Sequence, residues 1–184
     1  SLVRQLGGTV YLLAALALPC TAAANPVTPY FAGELGYAAL ERSNDHRSRD
    51  DTLSLAFEGG IALSPALAVG LRAGGWTIAP YDFNTPEKGE SLSLLSVSLR
   101  HHPPVLPRLL LSGHAGWVRH IDSTVGAREG SGTGLALGLG YDFPMRSRLC
   151  LTPVLEFSQG TFRTDTGVPG TTETTRYRAL SLGI

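Results

Sequence analysis

Strict two-residue alternation is the feature that most restricts this chain. After Asn25 no segment carries a convincing helical period, whereas apolar residues recur at every second position, in segments about 20 residues apart. Across Thr52 to Leu63 one face reads Leu53, Leu55, Phe57, Gly59, Ile61 and Leu63, and the other Thr52, Ser54, Ala56, Glu58, Gly60 and Ala62. Thr133 to Phe143 repeats the pattern, with Leu135, Leu137, Leu139, Tyr141 and Phe143 opposite Gly134, Ala136, Gly138, Gly140 and Asp142. A period of two places successive side chains on opposite faces of a strand, so the expected fold is all-β.

Further segments agree. Phe31, Leu35 and Tyr37 oppose Glu34, Gly36 and Ala38; Leu67, Val69 and Leu71 oppose Ala68, Gly70 and Arg72. Leu95, Val97 and Leu99 oppose Ser96, Ser98 and Arg100, and Leu149, Leu151, Leu155 and Phe157 oppose Cys150, Thr152 and Glu156. A soluble sandwich has the same period, so the composition of the faces must separate the two cases. The non-aliphatic face is mostly Gly, Ala and Ser with isolated charges, not the Lys, Glu, Thr and Gln of a water-facing sheet. Small residues suit the cramped lumen of a narrow barrel. The aliphatic face suits lipid, because a closed barrel leaves no unpaired backbone edge in hydrocarbon.

The connections alternate in length. Short, proline-marked ones fall at Ser64-Pro65, at His102 to Pro107 and at Pro144 to Ser147; long polar ones span residues 41–51, 79–90, 120–131 and 161–174. Eight strands follow, near residues 29–40, 52–63, 66–78, 91–101, 108–119, 132–143, 148–160 and 175–184, close to the roughly 9 to 11 residues a tilted strand needs to cross a bilayer. Tyr30, Phe31, Trp76, Tyr81, Trp117, Tyr141, Phe143, Phe157, Phe162 and Tyr177 lie towards strand ends, as interfacial girdles require.

Residues 1–24 read as a separate targeting segment. Arg4 precedes an apolar run from Val10 to Leu18, then Pro19 and Ala22-Ala23-Ala24, the charge, core and small-residue pattern of a cleavable signal peptide. The run is about half the length of a spanning helix. Cys20 follows Pro19 where a lipobox has a small residue, so lipidation is the lesser alternative. After cleavage Cys150 alone remains, and no intramolecular disulfide is expected. Residues 25–184 are then one domain: an eight-stranded antiparallel up-and-down transmembrane β-barrel.

Signal peptide, eight alternating strands, four long polar loops and a terminal strand together resemble the OmpA-type and opacity-type small outer-membrane barrel families. The resemblance covers nearly all of residues 25–184 and rests on architecture. It implies a bacterial outer-membrane location, contact with outer-membrane lipid and lipopolysaccharide, and recognition of the last strand by the barrel-assembly machinery. Such families usually end on an aromatic residue; this sequence ends Leu180-Ser181-Leu182-Gly183-Ile184, keeping the alternation without the aromatic.

Acidic and basic residues balance at 15 each and form no basic face, which excludes nucleic acid as the expected partner. Glu34, Glu58, Asp142 and Glu156 share the expected lumenal face with Arg72, Arg100 and His114. Those seven read either as a conducting lining or as buried ion pairs plugging the bore, and the narrowness of eight strands favours the plug. Ser112 and His114, two apart on one strand, with Glu156 on a later strand, offer a weak Ser-His-acid alternative of the kind a lipid hydrolase uses. His101 and His102 point to opposite faces and do not share a metal, and neither metal nor cofactor is expected. Arg42, Arg47, Arg49, Lys88, Arg128 and Arg163 are candidates for lipopolysaccharide headgroups, and residues 171–175 for a surface ligand. The expected role is a non-enzymatic surface-interaction protein. A narrow pore, an outer-membrane lipid hydrolase and a soluble periplasmic ligand-binding barrel are the alternatives.

Overall fold

A computed structural model describes residues 27–43, 47–78, 89–123, 128–146, 149–165 and 171–184, with Arg47 and Arg146 described by backbone alone. The strands are β1 (Thr28–Ser43), β2 (Arg47–Ser64), β3 (Leu67–Thr77), β4 (Glu90–His101), β5 (Leu109–Asp122), β6 (Arg128–Tyr141), β7 (Phe143–Arg146), β8 (Leu149–Leu151), β9 (Val154–Asp165) and β10 (Thr172–Gly183). Eight of them close a barrel in the order β1-β10-β9-β6-β5-β4-β3-β2, every pair antiparallel. Strands β7 and β8 form a separate small hairpin.

The register fixes the barrel's shape. Following paired residues from Phe31 through Gly59, Leu71, Val97, Ala115, Leu135, Gln159 and Arg178 returns to β1 at Glu41, ten residues further along. A stagger of ten over eight strands, at about 3.3 Å per residue and about 4.8 Å per strand, tilts the strands by about 40°. The alternating aliphatic residues point outwards: Leu53, Phe57, Leu71, Leu95, Val97, Leu137 and Leu182 are each exposed by more than half. The glycine, alanine and serine face points inwards.

The strands run further towards the long loops than apolar alternation indicates. β1 reaches Ser43, β2 starts at Arg47 and β9 reaches Asp165. There the ladder continues through paired polar residues, with Arg42 bound to Asp50 at 2.8 Å and Arg119 to Glu129 at 3.0 Å. Cross-strand ion pairs support a sheet where hydrophobicity has stopped marking it.

At the opposite rim, which carries Thr28 and Ile184, the expected strands 132–143 and 148–160 are each interrupted. Pro144 and Pro153 cannot donate to a ladder, so the pairing breaks, and β7 and β8 fold off as their own hairpin. Asp142 turns into the rim instead, accepting a hydrogen bond from Thr152 Oγ1 at 2.7 Å and lying 3.0 Å from His102 Nε2. Cys150 lies in β8, and Cys20 lies outside the described residues.

Glycines face close neighbours where adjacent backbones nearly touch: a Cβ on Gly132 would overlap the carbonyl oxygen of Thr161, whereas one on Gly113 meets only Leu137 Cδ2 at 3.7 Å. Gly132→Val is expected to lower stability by about 3 kcal/mol. Gly113→Ala is expected to be neutral or stabilising by up to about 1 kcal/mol, both read from thermal unfolding in detergent. The Asp142 clamp supplies a pH dependence. Burial alone raises its pKa, but hydrogen bonds from His102 and Thr152 outweigh burial and hold the carboxylate below its ordinary 3.8. A depressed folded-state pKa stabilises above the unfolded value and is lost as pH falls through the folded one. Asp142→Asn therefore costs about 2 kcal/mol at neutral pH, and unfolding curves of variant and parent converge in acid below 3.8.

Candidate functional site

The lumen has distinct layers, each set by inward positions of the closing strands. Nearest the terminal rim is a cavity of about 200 Å³, with Leu67, Leu110 and Val154 on its apolar wall and His102, Asp142 and Thr152 at its mouth. Its inner end is charged. Arg72, on β3, sits among three carboxylates: 2.9 Å from Glu34 on β1, 3.1 Å from Glu156 on β9 and 3.9 Å from Glu58 on β2. Glu58 also accepts hydrogen bonds from Tyr30 at 2.6 Å and Ser98 at 2.8 Å. Arg100 lies over the Tyr30 ring, 5.3 Å from its centroid.

His114 completes this layer with 1 % of its side chain exposed, its Nε2 3.5 Å from Glu156. Neither ring nitrogen has a hydrogen-bond partner, and Glu156 Oε2 has an ion-pair distance to Arg72 without hydrogen-bond alignment. The structure thus brings six of the seven expected lumenal charges together: Glu34, Glu58, Arg72, Arg100, His114 and Glu156. Asp142 is not part of this layer, because the break at Pro144 diverts it to the rim.

Above the charges the bore is filled by an apolar cluster. Ala38, Leu40, Trp76, Leu92, Leu94, Val118, Phe162, Tyr177 and Ala179 pack across it, with Leu40, Leu92 and Val118 at 0 % exposure. Trp76 and Tyr177 have ring centroids 6.0 Å apart, and Phe162 and Tyr177 6.5 Å. Nearest the loops a second polar layer covers the plug: Arg42 binds Asp50 and Glu90, His120 lies 2.8 Å from Glu90, and its ring stacks on Phe162 at 4.6 Å.

This plug was not anticipated, and it corrects the expected aromatic girdles. Phe31, Trp117, Tyr141, Phe143 and Phe157 face outwards, but Tyr30, Trp76, Phe162 and Tyr177 are buried in the lumen; Tyr81 lies outside the described residues. Parity carries the signal. Tyr30 neighbours the outward Phe31, Trp76 is in phase with Arg72, Phe162 with Glu156, and Tyr177 is out of phase with Leu180 and Leu182.

As a hydrolytic centre the Ser112, His114 and Glu156 set lacks its first contact. Ser112 and His114 share the cavity wall, but with both imidazole nitrogens unbonded no nucleophile-base hydrogen bond forms. All three point into the lumen, away from any lipid on the outer wall. His101 Nδ1 contacts the Ala66 carbonyl at 3.0 Å while His102 faces Asp142, and no group of three or more metal-binding side chains gathers among the described residues.

No protein-family model and no curated protein sequence matches this chain. Solved structures do. Neisserial surface protein A, at 14 % identity, aligns over 83 % of this chain and 94 % of its own with a TM-score of 0.50. The outer membrane protein AlkL, determined in DMPC lipid bilayers, is 12 % identical over 89 % and 92 % at 0.48, and Ail, the attachment invasion locus protein of Yersinia pestis, is 11 % identical over 84 % and 97 % at 0.44. At such identity the likeness is one of fold: this chain has the closed eight-stranded barrel of the small outer-membrane proteins.

Proposed function

We propose that the protein is an integral outer-membrane barrel that conducts nothing and works through its outer wall and four loops, as a structural or surface-interaction protein. The observation that carries this reading is the filled bore: an apolar plug lies between two charged layers, and the aliphatic face is turned outwards. An outward band of Leu, Val, Ile and Phe on a closed, hydrogen-bonded wall is suited to hydrocarbon. It is the reverse of the soluble alternative, in which the aliphatic face lines a ligand cavity. A pore requires water through the Leu40, Leu92 and Val118 layer, where exposure is zero.

Fractionation tests the membrane reading. The expected protein is in the outer-membrane fraction and shifts on a denaturing gel when boiled; recovery in the soluble periplasm without a shift sinks the proposal. In planar bilayers the expected result is silence at all voltages, and stepwise conductance altered by Arg72→Gln would restore the pore. The same variant probes the charged layer. Removing Arg72 leaves the carboxylates of Glu34, Glu58 and Glu156 with only Arg100 and His114 in their layer, at an expected cost of about 3–5 kcal/mol, measured as a lower unfolding temperature without new conductance.

A further inference from the structure

The cavity at the terminal rim carries donors that the charged layer does not use. Arg72 is held by three carboxylates, but Arg100, which lines the same cavity, has no ion pair and no hydrogen bond among the described residues; its one specific contact is the Tyr30 ring. Across the β4–β5 ladder Arg100 is paired directly with Ser112, which sets their Cβ atoms about 5 Å apart on the inward face. Ser112 lines the cavity too, its hydroxyl without a partner among the described residues. Gly138, paired with Ser112 on its other side, keeps space beside it: a Cβ there would stand 2.3 Å from Ser112 Oγ.

Acceptors line the same cavity. Glu34 Oε2 accepts from Arg72, and Glu58 Oε1 from Tyr30 and Ser98, which leaves Glu34 Oε1 and Glu58 Oε2 without a hydrogen bond among the described residues. Glu58 Oε2 is 3.9 Å from Arg72, beyond hydrogen-bond length. Leu67, Leu110 and Val154 form the apolar wall, and Val154 Cγ1 would lie 3.4 Å from a Cβ on Gly138, so that wall adjoins Ser112. The cavity, at about 200 Å³, is many times the about 15 Å³ that a single water needs.

We propose that this cavity binds a free α-amino acid with an aliphatic side chain: its carboxylate on Arg100 and Ser112, its ammonium on Glu34 and Glu58, and its side chain against Leu67, Leu110 and Val154. A guanidinium takes a carboxylate bidentately, and a zwitterion adds no net charge to a buried charged layer. Either half alone is disfavoured. An acid without the amine adds a fourth carboxylate to Glu34, Glu58 and Glu156, and an amine without the carboxylate sets a second cation beside Arg100 with nothing to neutralise it. The plug separates this site from the loops, so it adds to the surface role a second one at the opposite rim.

Calorimetric titration of the protein in detergent micelles tests this with three molecules that share one aliphatic tail: leucine, isocaproate, which lacks the amine, and isoamylamine, which lacks the carboxylate. Leucine is expected to bind at least about tenfold more tightly than either. Arg100→Gln is expected to weaken leucine binding about tenfold and Ser112→Ala about fivefold, in protein that still shifts on boiling. Arg119→Gln, on the exposed outer wall, is expected to leave it unchanged. Where Arg100→Gln does not fold, Ser112→Ala decides. No binding of leucine, equal binding of leucine and either fragment, or an affinity for leucine unchanged in every inward variant that folds would overturn the site, and none of these outcomes bears on the membrane reading.

Discussion

Closure of the hydrogen-bond ladder between β1 and β10 is the contact on which everything else depends. Each strand satisfies half its backbone groups with one neighbour and half with the other, so an open wall would strand a row of N–H and C=O groups in hydrocarbon at several kcal/mol each. Pairing Gly36 through Ser43 with Gly183 through Arg176, extended by reciprocal bonds between Leu35 and Ile184, removes that edge. Once the wall is closed, an aliphatic exterior is compatible with lipid, and alternation acquires one meaning for all eight strands.

Closure also sets the interior problem. Eight strands leave room for side chains and little else, so every inward residue must pack or pair. The chain uses both solutions at different heights. Glu34, Glu58 and Glu156 gather round Arg72, with Tyr30 and Ser98 supplying donors, while Leu40, Leu92, Val118, Phe162 and Tyr177 fill the next layer without any charge. A buried charge cluster adds little net stability over an apolar equivalent, but it tolerates no missing member. The glycines opposite it serve the same constraint: a Cβ on Gly183 would strike Glu34, and one on Gly134 would strike Tyr177.

How much of this could be read from the sequence depends on which pattern carried the information. Period two was explicit from Leu53 to Leu63 and from Leu135 to Tyr141, so strand number, orientation of the aliphatic face and most of the charged lumen were legible. Strand ends were not. At the loop side the ladder outlives hydrophobicity, and Arg42–Asp50 or Arg119–Glu129 pairs look like loop composition until the register is known. At the terminal rim Pro144 and Pro153 each permit either a turn or an edge strand, and only the observed pairing puts Asp142 against His102 and Thr152. The aromatic plug was legible but overridden. Position near a strand end suggested an interface for Trp76, Phe162 and Tyr177, whereas their phase relative to Arg72, Glu156 and Leu182 placed them inside.

The layered interior also limits where function can reside. The cavity lies at the end of the barrel that carries Ile184, and the plug lies between it and the loop side. Ser112 and His114 line that cavity, and Glu156 lies beside His114 at the edge of the plug. On the loop side the outward column of β6 changes within two rows from Leu135 to Thr133 and Ser131, and Ser131 is paired with Arg119 of β5 and Arg163 of β9. A one-residue change of register would turn the same arginines into the lumen and the plug outwards. The alternation that turns the aliphatic face outwards is thus the same constraint that places the arginines of β5 and β9 at its loop-side margin.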